Sequence, residues 1–159
     1  MVNIKHLVTI GSLFFLFLST LIITSECPAK SNHIDWNDKS ITWHEYNEGV
    51  TKSQVERKPI FLVVYANWCP TCQKMGNAFK NKDIIQLSSQ FIMIRVDKDQ
   101  NPDLSTNFGF DGEYVPRTFV IHPDGYVMHD LYPVRQHRYY LGVTPANLLL
   151  LMKKCLNSL

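Results

Sequence analysis

Two short runs along the chain, "PIFLVVY" at residues 59–65 and "FIMIRV" at residues 91–96, are apolar at nearly every position and rich in β-branched and aromatic side chains. Neither alternates polar with apolar, so both predict strands buried on two faces. The segments around them carry helical spacing instead. In residues 41–58, Tyr46, Val50 and Ser53 fall along one side, which predicts a helix that Gly49 weakens and Pro59 ends. Residues 73–90, "QKMGNAFKNKDIIQLSSQ", predict a second helix with a restart near residues 81–83. The polar stretch at residues 97–114 predicts one more short helix after Pro102.

Further on, "VPRTFVIHPDGYVMHDLY" holds two apolar runs joined by Pro123, Asp124 and Gly125, the residues of a tight turn, so it predicts a β-hairpin. The irregular, cationic and aromatic "PVRQHRYYLGV" follows. Thr144 as N-cap and Pro145 at the first helical position open a final helix, whose Lys153 and Lys154 complement its dipole. The predicted order is helix, strand, helix, strand, short helix, hairpin, helix. A parallel pair plus an antiparallel hairpin, flanked by helices, is an α/β fold with a mixed sheet. It fills one domain, residues 41–159, preceded by a polar leader at residues 26–40 that has no periodicity.

The N-terminus changes the compartment. Lys5 and His6 precede an almost unbroken apolar run at residues 7–23, followed by small and polar residues, which is the layout of a secretory signal peptide over residues 1–25. Ser25 and Ala29 both suit its last position, and an uncleaved anchor is the alternative reading of the same run. Glu26 is a poor fit to the small residue that lipidation of Cys27 would need. Net charge is +2 over the full chain and +1 once Lys5 is removed with the signal. Near-neutrality and the lack of any basic run interleaved with aromatics argue against nucleic acid as a partner.

Chemistry concentrates in "ANWCPTCQKM", residues 66–75. A C-x-x-C pair serves as a redox couple, half a metal site or a structural staple. Four cysteines are too few for a disulfide scaffold in a chain of 159 residues. Zinc needs a second pair or two histidines at matching spacing, and Cys27 and Cys155 stand alone, so no metal is expected. Cys69 falls just past a strand's C-terminal end and at a helix N-terminus, where open α/β sheets put their sites. Unpaired N–H groups and the helix dipole there favour a thiolate, which makes Cys69 the nucleophile. Cys72, most of a turn later, faces the same end and can close or resolve a disulfide. Pro70 suits the first turn. Thr71 adds no charge between the cysteines, which points to an intermediate or reducing potential. Trp68 reads as a packing residue beside the pair. His44, His122, His129 and His137 are scattered and take no role, and Arg117 reads as a solvated side chain, the alternative being that it steers an acidic substrate or assists the thiolate. A bridge between Cys27 and Cys155, near opposite ends of the mature chain, is a further possibility in an oxidising compartment.

Over roughly residues 41–159, "WCPTC" at 68–72, "VDKDQNP" at 96–102 and "YVPRTFVIHPDG" at 114–125 resemble the thioredoxin superfamily. The order "TWHEYNEGV…KPIFLVVYANWC" is similar to the small single-domain thioredoxin-like proteins of the endoplasmic reticulum related to the anterior gradient proteins, with periplasmic thiol:disulfide interchange proteins close behind. The resemblance implies a thioredoxin-like fold in which Pro116 is cis against the cysteine pair, Val115 pairs with an extended substrate peptide, and Trp68 rims the groove. It implies a thiol–disulfide oxidoreductase that needs no cofactor. Cys69 would attack a protein disulfide and Cys72 would resolve the mixed disulfide, with cysteine-containing clients and a redox partner protein as partners. A monomer in the periplasm, the reticulum lumen or outside the cell is expected, with membrane contact only if the apolar run stays attached. Two departures stand out. The buried acid that many relatives carry six residues before the first cysteine is Val63 here, and the C-terminus is Leu156-Asn157-Ser158-Leu159 rather than a Lys-Asp-Glu-Leu retention signal. The alternatives from other classes are a chaperone-like peptide-binding module whose cysteines do not turn over, and a metallochaperone.

Overall fold

Strand β2, Ile60–Tyr65, is buried at all six positions and forms the middle of a four-stranded sheet. The computed structural model describes residues 33–159, so the apolar run at residues 7–23, the signal or anchor reading and Cys27 lie outside the described residues. Among the described residues no helix is long and apolar enough to cross a membrane. Strand β1 is Trp43–His44, β3 is Ile92–Asp97 and β4 is Arg117–Ile121, in spatial order β1-β3-β2-β4. β3 runs parallel to both β1 and β2, and β4 antiparallel to β2. The sheet is mixed, as expected, with the parallel pair β2–β3 in place and the antiparallel member being β4 alone.

Helices cover both faces. In order they are α1 (Tyr46–Glu56), α2 (Pro70–Ala78), α3 (Lys82–Ser88), α4 (Pro102–Asn107) and α5 (Pro145–Leu156). Phe61 of β2 meets Phe79 and Phe91 at ring separations of 6.2 and 6.0 Å, which assigns Phe61, Val63 and Tyr65 to the face that carries α2 and α3. Phe119 of β4 meets Phe108, just past α4, at 5.0 Å on the other face. The restart near residue 81 is real. Asn81 caps α3 with its side chain, accepting from the backbone of Asp83 and Ile84. Thr144 caps α5 in the same way, with Pro145 at the first position.

Three expectations are corrected. The helix predicted over residues 41–58 starts only at Tyr46, because Trp43 and His44 instead add an edge strand to β3. Gly49 stays helical because α1 lies so close to the sheet that a Cβ there would sit 2.4 Å from Ile94 Cδ1. The leader is not wholly polar surface. Ile34 and Trp36 are buried, and the Trp36 ring packs on Trp43, Tyr65 and Phe79 at 5.8, 4.9 and 5.8 Å. The hairpin keeps its turn but loses its second strand. His122 N–H donates to Tyr126 O at 2.9 Å around Gly125, whose φ is 95°, yet only the single bridge Ile121–Val127 follows. Tyrosines do the strand's work. Thr118 N–H donates to Tyr139 O at 3.0 Å and Val120 N–H to the Tyr132 hydroxyl at 2.8 Å, so the free edge of β4 is closed by a loop.

Candidate active site

β2 ends at Tyr65, and Cys69 N–H turns back onto Ala66 O at 3.1 Å before Pro70 opens α2. Cys69 is the N-cap of that helix. Its backbone is extended, and its Sγ accepts the Cys72 N–H at 3.2 Å, so the sulfur occupies the place of a capping oxygen. Pro70 gives up no hydrogen bond there, since its nitrogen would have been unpaired. Both cysteines are free thiols, Cys69 at 5% exposure and Cys72 at 0%. Burial pushes the Cys72 thiol well above the usual cysteine range, its hydrogen bond with Cys69 adds to this, and the Ala66 backbone pulls the other way.

The chain returns to this point 46 residues later. Cys69 Sγ lies 3.8 Å from Val115 O, and the Val115–Pro116 peptide is cis. Trp68, Cys69, Cys72, Val115 and Pro116 are therefore gathered at one end of the sheet. Trp68 is 59% exposed rather than packed. Its Nε1 donates to Asp99 Oδ2 at 2.6 Å, and Lys98 Nζ sits 5.8 Å from the ring centre. Lys98 first, and then Trp68, hold the Asp99 carboxyl below its ordinary pKa.

Several residues that sequence reasoning passed over support the site. Asn67 Nδ2 donates to Asp97 Oδ2 at 2.8 Å, and Asp99 N–H donates to Asp97 Oδ1 at 3.0 Å. Asn67 and Trp68, the two residues before Cys69, are thus tied to the carboxylate that ends β3 and to one just beyond it. The available signal was the acidic "VDKD" at the C-terminal end of a predicted strand. Arg117 overturns its solvated reading, being 0% exposed. Its Nη1 donates to Gly112 O at 2.7 Å, and its Nη2 to Ser105 O and Oγ at 3.1 and 2.6 Å. Burial lowers its pKa while Glu113, Tyr114 and Asp111 oppose the shift. The guanidinium remains charged. It fastens the loop that delivers Pro116 to the end of α4.

Val63 is fully buried between Arg95 of β3 and Thr118 of β4. Cys155 is buried in α5 with its Sγ 3.9 Å from Met128 Sδ, and burial pushes its thiol up to about 12. Among the described residues no three His, Cys, Asp or Glu side chains are grouped to hold a metal ion.

Comparison with known proteins places this geometry in a family. Residues 42–123 match a thioredoxin-like family model. Anterior gradient protein 2-B of Xenopus laevis is 31% identical over 144 residues, spanning 86% of this chain and 85% of that protein. The human anterior gradient protein 2 homolog is 32% identical over 133 residues, spanning 78% and 71%. Among solved structures, a thioredoxin from Thermus thermophilus superposes with a TM-score of 0.57 at 18% identity, over 74% of this chain and 88% of that one. A disulphide isomerase from Xylella fastidiosa Temecula1 superposes at 0.53 and 20% identity, over 81% and 96%. Sequence and fold agree: the chain belongs to the thioredoxin-like family, with the anterior gradient proteins as its relatives.

Proposed function

We propose that the protein is a thiol–disulfide oxidoreductase acting on cysteine-containing proteins through Cys69 and Cys72. The observation that carries this reading is the position of Cys69 Sγ, which caps a helix, receives the Cys72 N–H at 3.2 Å and lies 3.8 Å from Val115 O. An amide aimed at sulfur and the positive end of a helix dipole stabilise a thiolate as it forms. That thiolate attacks one sulfur of a client disulfide, and the departing client thiolate takes a proton from solvent. Cys72 then loses its proton, bonds to Cys69 Sγ and frees the second client sulfur as a thiol. One disulfide is exchanged for another, so no cofactor enters the reaction.

The Val115 and Pro116 backbone supplies an edge for an extended client segment, and the exposed Trp68 forms its rim. The apolar run at residues 7–23 supports an extracytoplasmic location, where client disulfides persist. One observation favours a second reading. The fully buried Cys72 would suit a peptide-binding module in which Cys69 captures clients without turnover.

Insulin reduction with a dithiol donor separates the two. Under the proposal, Cys69→Ser abolishes turnover and Cys72→Ser accumulates a covalent client adduct visible on a non-reducing gel. Undiminished turnover by Cys69→Ser would overturn the proposal, and adduct formation by the unaltered protein without turnover would establish the binding module.

A further inference from the structure

Burial leaves Cys72 a neutral thiol, and the resolving step needs it ionised. Six polar or charged residues are buried among the described residues: Ser53, Ser88, Asp97, Ser105, Arg117 and Thr118. Five are already committed. Ser53 donates to Lys58 O and Ser88 to Ile85 O. Ser105 and Arg117 bond each other, and the two oxygens of Asp97 are taken by Asn67 and the Asp99 amide. Of the six, Thr118 is the one whose side chain makes no hydrogen bond at all among the described residues, its Oγ1 fully buried; Arg117 Nε is also unpaired, but that guanidinium bonds through its other two nitrogens. A buried hydroxyl without a partner costs about 1–3 kcal/mol, so its retention asks for a reason.

Its place in the sheet supplies one. Thr118 stands directly opposite Val63 across the β2–β4 pair, and cross-strand partners share a face. That face carries α2, whose buried side includes Cys72 and Met75. Thr118 is also two residues past Pro116, on the strand whose entry lies against Cys69. A neutral thiol is a weak acceptor, whereas a thiolate is a strong one, and a hydroxyl hydrogen turns freely toward it.

We propose that the Thr118 hydroxyl is the hydrogen-bond donor that serves Cys72, engaging its sulfur as it ionises to attack the mixed disulfide. This deepens the exchange reading given above and rests on it. In the step concerned, the Cys72 proton passes to water, a bond forms between Cys72 and Cys69 sulfurs, and the bond between Cys69 and the client sulfur breaks. The departing client thiolate is protonated by water, and no outside oxidant is used.

The test mixes the reduced protein with oxidised glutathione, quenches with acid and follows the Cys69–glutathione adduct by mass spectrometry. Thr118→Val forms the adduct at the unaltered rate but resolves it about tenfold more slowly, with the pH profile of resolution displaced upward by about one unit. Its Tm stays at or above that of the unaltered protein, since an unpaired buried hydroxyl has been removed. Thr118→Ser, which keeps the hydroxyl, restores the rate and the profile. Thr118→Ala reproduces the valine result and serves if the valine variant fails to fold. Resolution by Thr118→Val at the unaltered rate and profile, or a serine variant as slow as the valine one, overturns the inference. Formation of neither the adduct nor the Cys69–Cys72 disulfide by the unaltered protein has a different meaning: it overturns the exchange reading, and this inference falls with it.

Discussion

Arg117 is a cation with no carboxylate within salt-bridge reach among the described residues, held instead by two backbone carbonyls and a serine hydroxyl. Charge-assisted bonds of this kind return about 1.5–3 kcal/mol each, against a desolvation cost of several kcal/mol for the buried ion. Removing the guanidinium therefore matters chiefly through what it leaves behind. Arg117→Met leaves Ser105 Oγ unpaired in a buried place and takes the guanidinium donors from Ser105 O and the half-buried Gly112 O, and is expected to lower stability in urea by about 2–3 kcal/mol. Arg117→Lys recovers only part, because one ammonium cannot reach both Gly112 and Ser105 as the planar fork does. A methionine variant as stable as the unaltered protein would mean that desolvation already cancels every bond the arginine makes. This burial was not legible beforehand, since an arginine after a proline carries no sign of the carbonyls that will converge on it. Cys69 and Cys72 were readable because their chemistry is local, set by a strand end and a helix start. Asp97, Asp99 and Thr118 acquire meaning only from the register between β3, β2 and β4.

Among the elements, β2 and β3 were legible because nothing else accounts for two apolar runs buried on both sides. The lost hairpin strand shows the limit of that logic. "GYVMHD" carries an apolar run like a strand's, yet the hydroxyl of Tyr132 and the carbonyl of Tyr139 satisfy the edge that a strand would have paired. Ile34 and Trp36 were missed for a related reason, since two apolar residues in a polar stretch make no periodicity. What receives them is α2. A Cβ on Gly76 would lie 2.6 Å from Ile34 Cγ2 and 2.8 Å from Asp35 O, so glycine lets the N-terminal segment lie against the helix that carries the cysteines. In an exposed helix Gly→Ala gains about 1 kcal/mol. Here the collision includes backbone, and overpacking costs about 1–3 kcal/mol. Gly76→Ala is expected to be destabilised on balance and to gain acrylamide quenching as Trp36 leaves its pocket, because Trp68 is exposed already. Increased stability with unchanged quenching would show that residues 33–36 do not depend on this helix.

For the whole molecule, the cysteine chemistry and the stability share a pH axis. Cys155 is buried in α5 against the body of the fold, and its thiol is pushed up to about 12 by burial. In the unfolded chain a cysteine titrates near about 8.5. Between those values the folded state holds a proton that the unfolded state has lost, so stability falls as pH rises. Below about 8.5 the contribution is complete, and it drains away toward 12 at up to about 1.4 kcal/mol per pH unit for this group. Cys155→Ala gives up some packing at neutral pH but lacks the titrating group. Its stability curve, measured by urea unfolding under reducing conditions from pH 7 to pH 10, should fall less steeply than that of the unaltered protein. The gap between the two should narrow above about pH 9, before the tyrosines titrate. Curves that stay parallel would mean that water reaches the Cys155 thiol in the folded protein, and that α5 is not sealed onto the sheet.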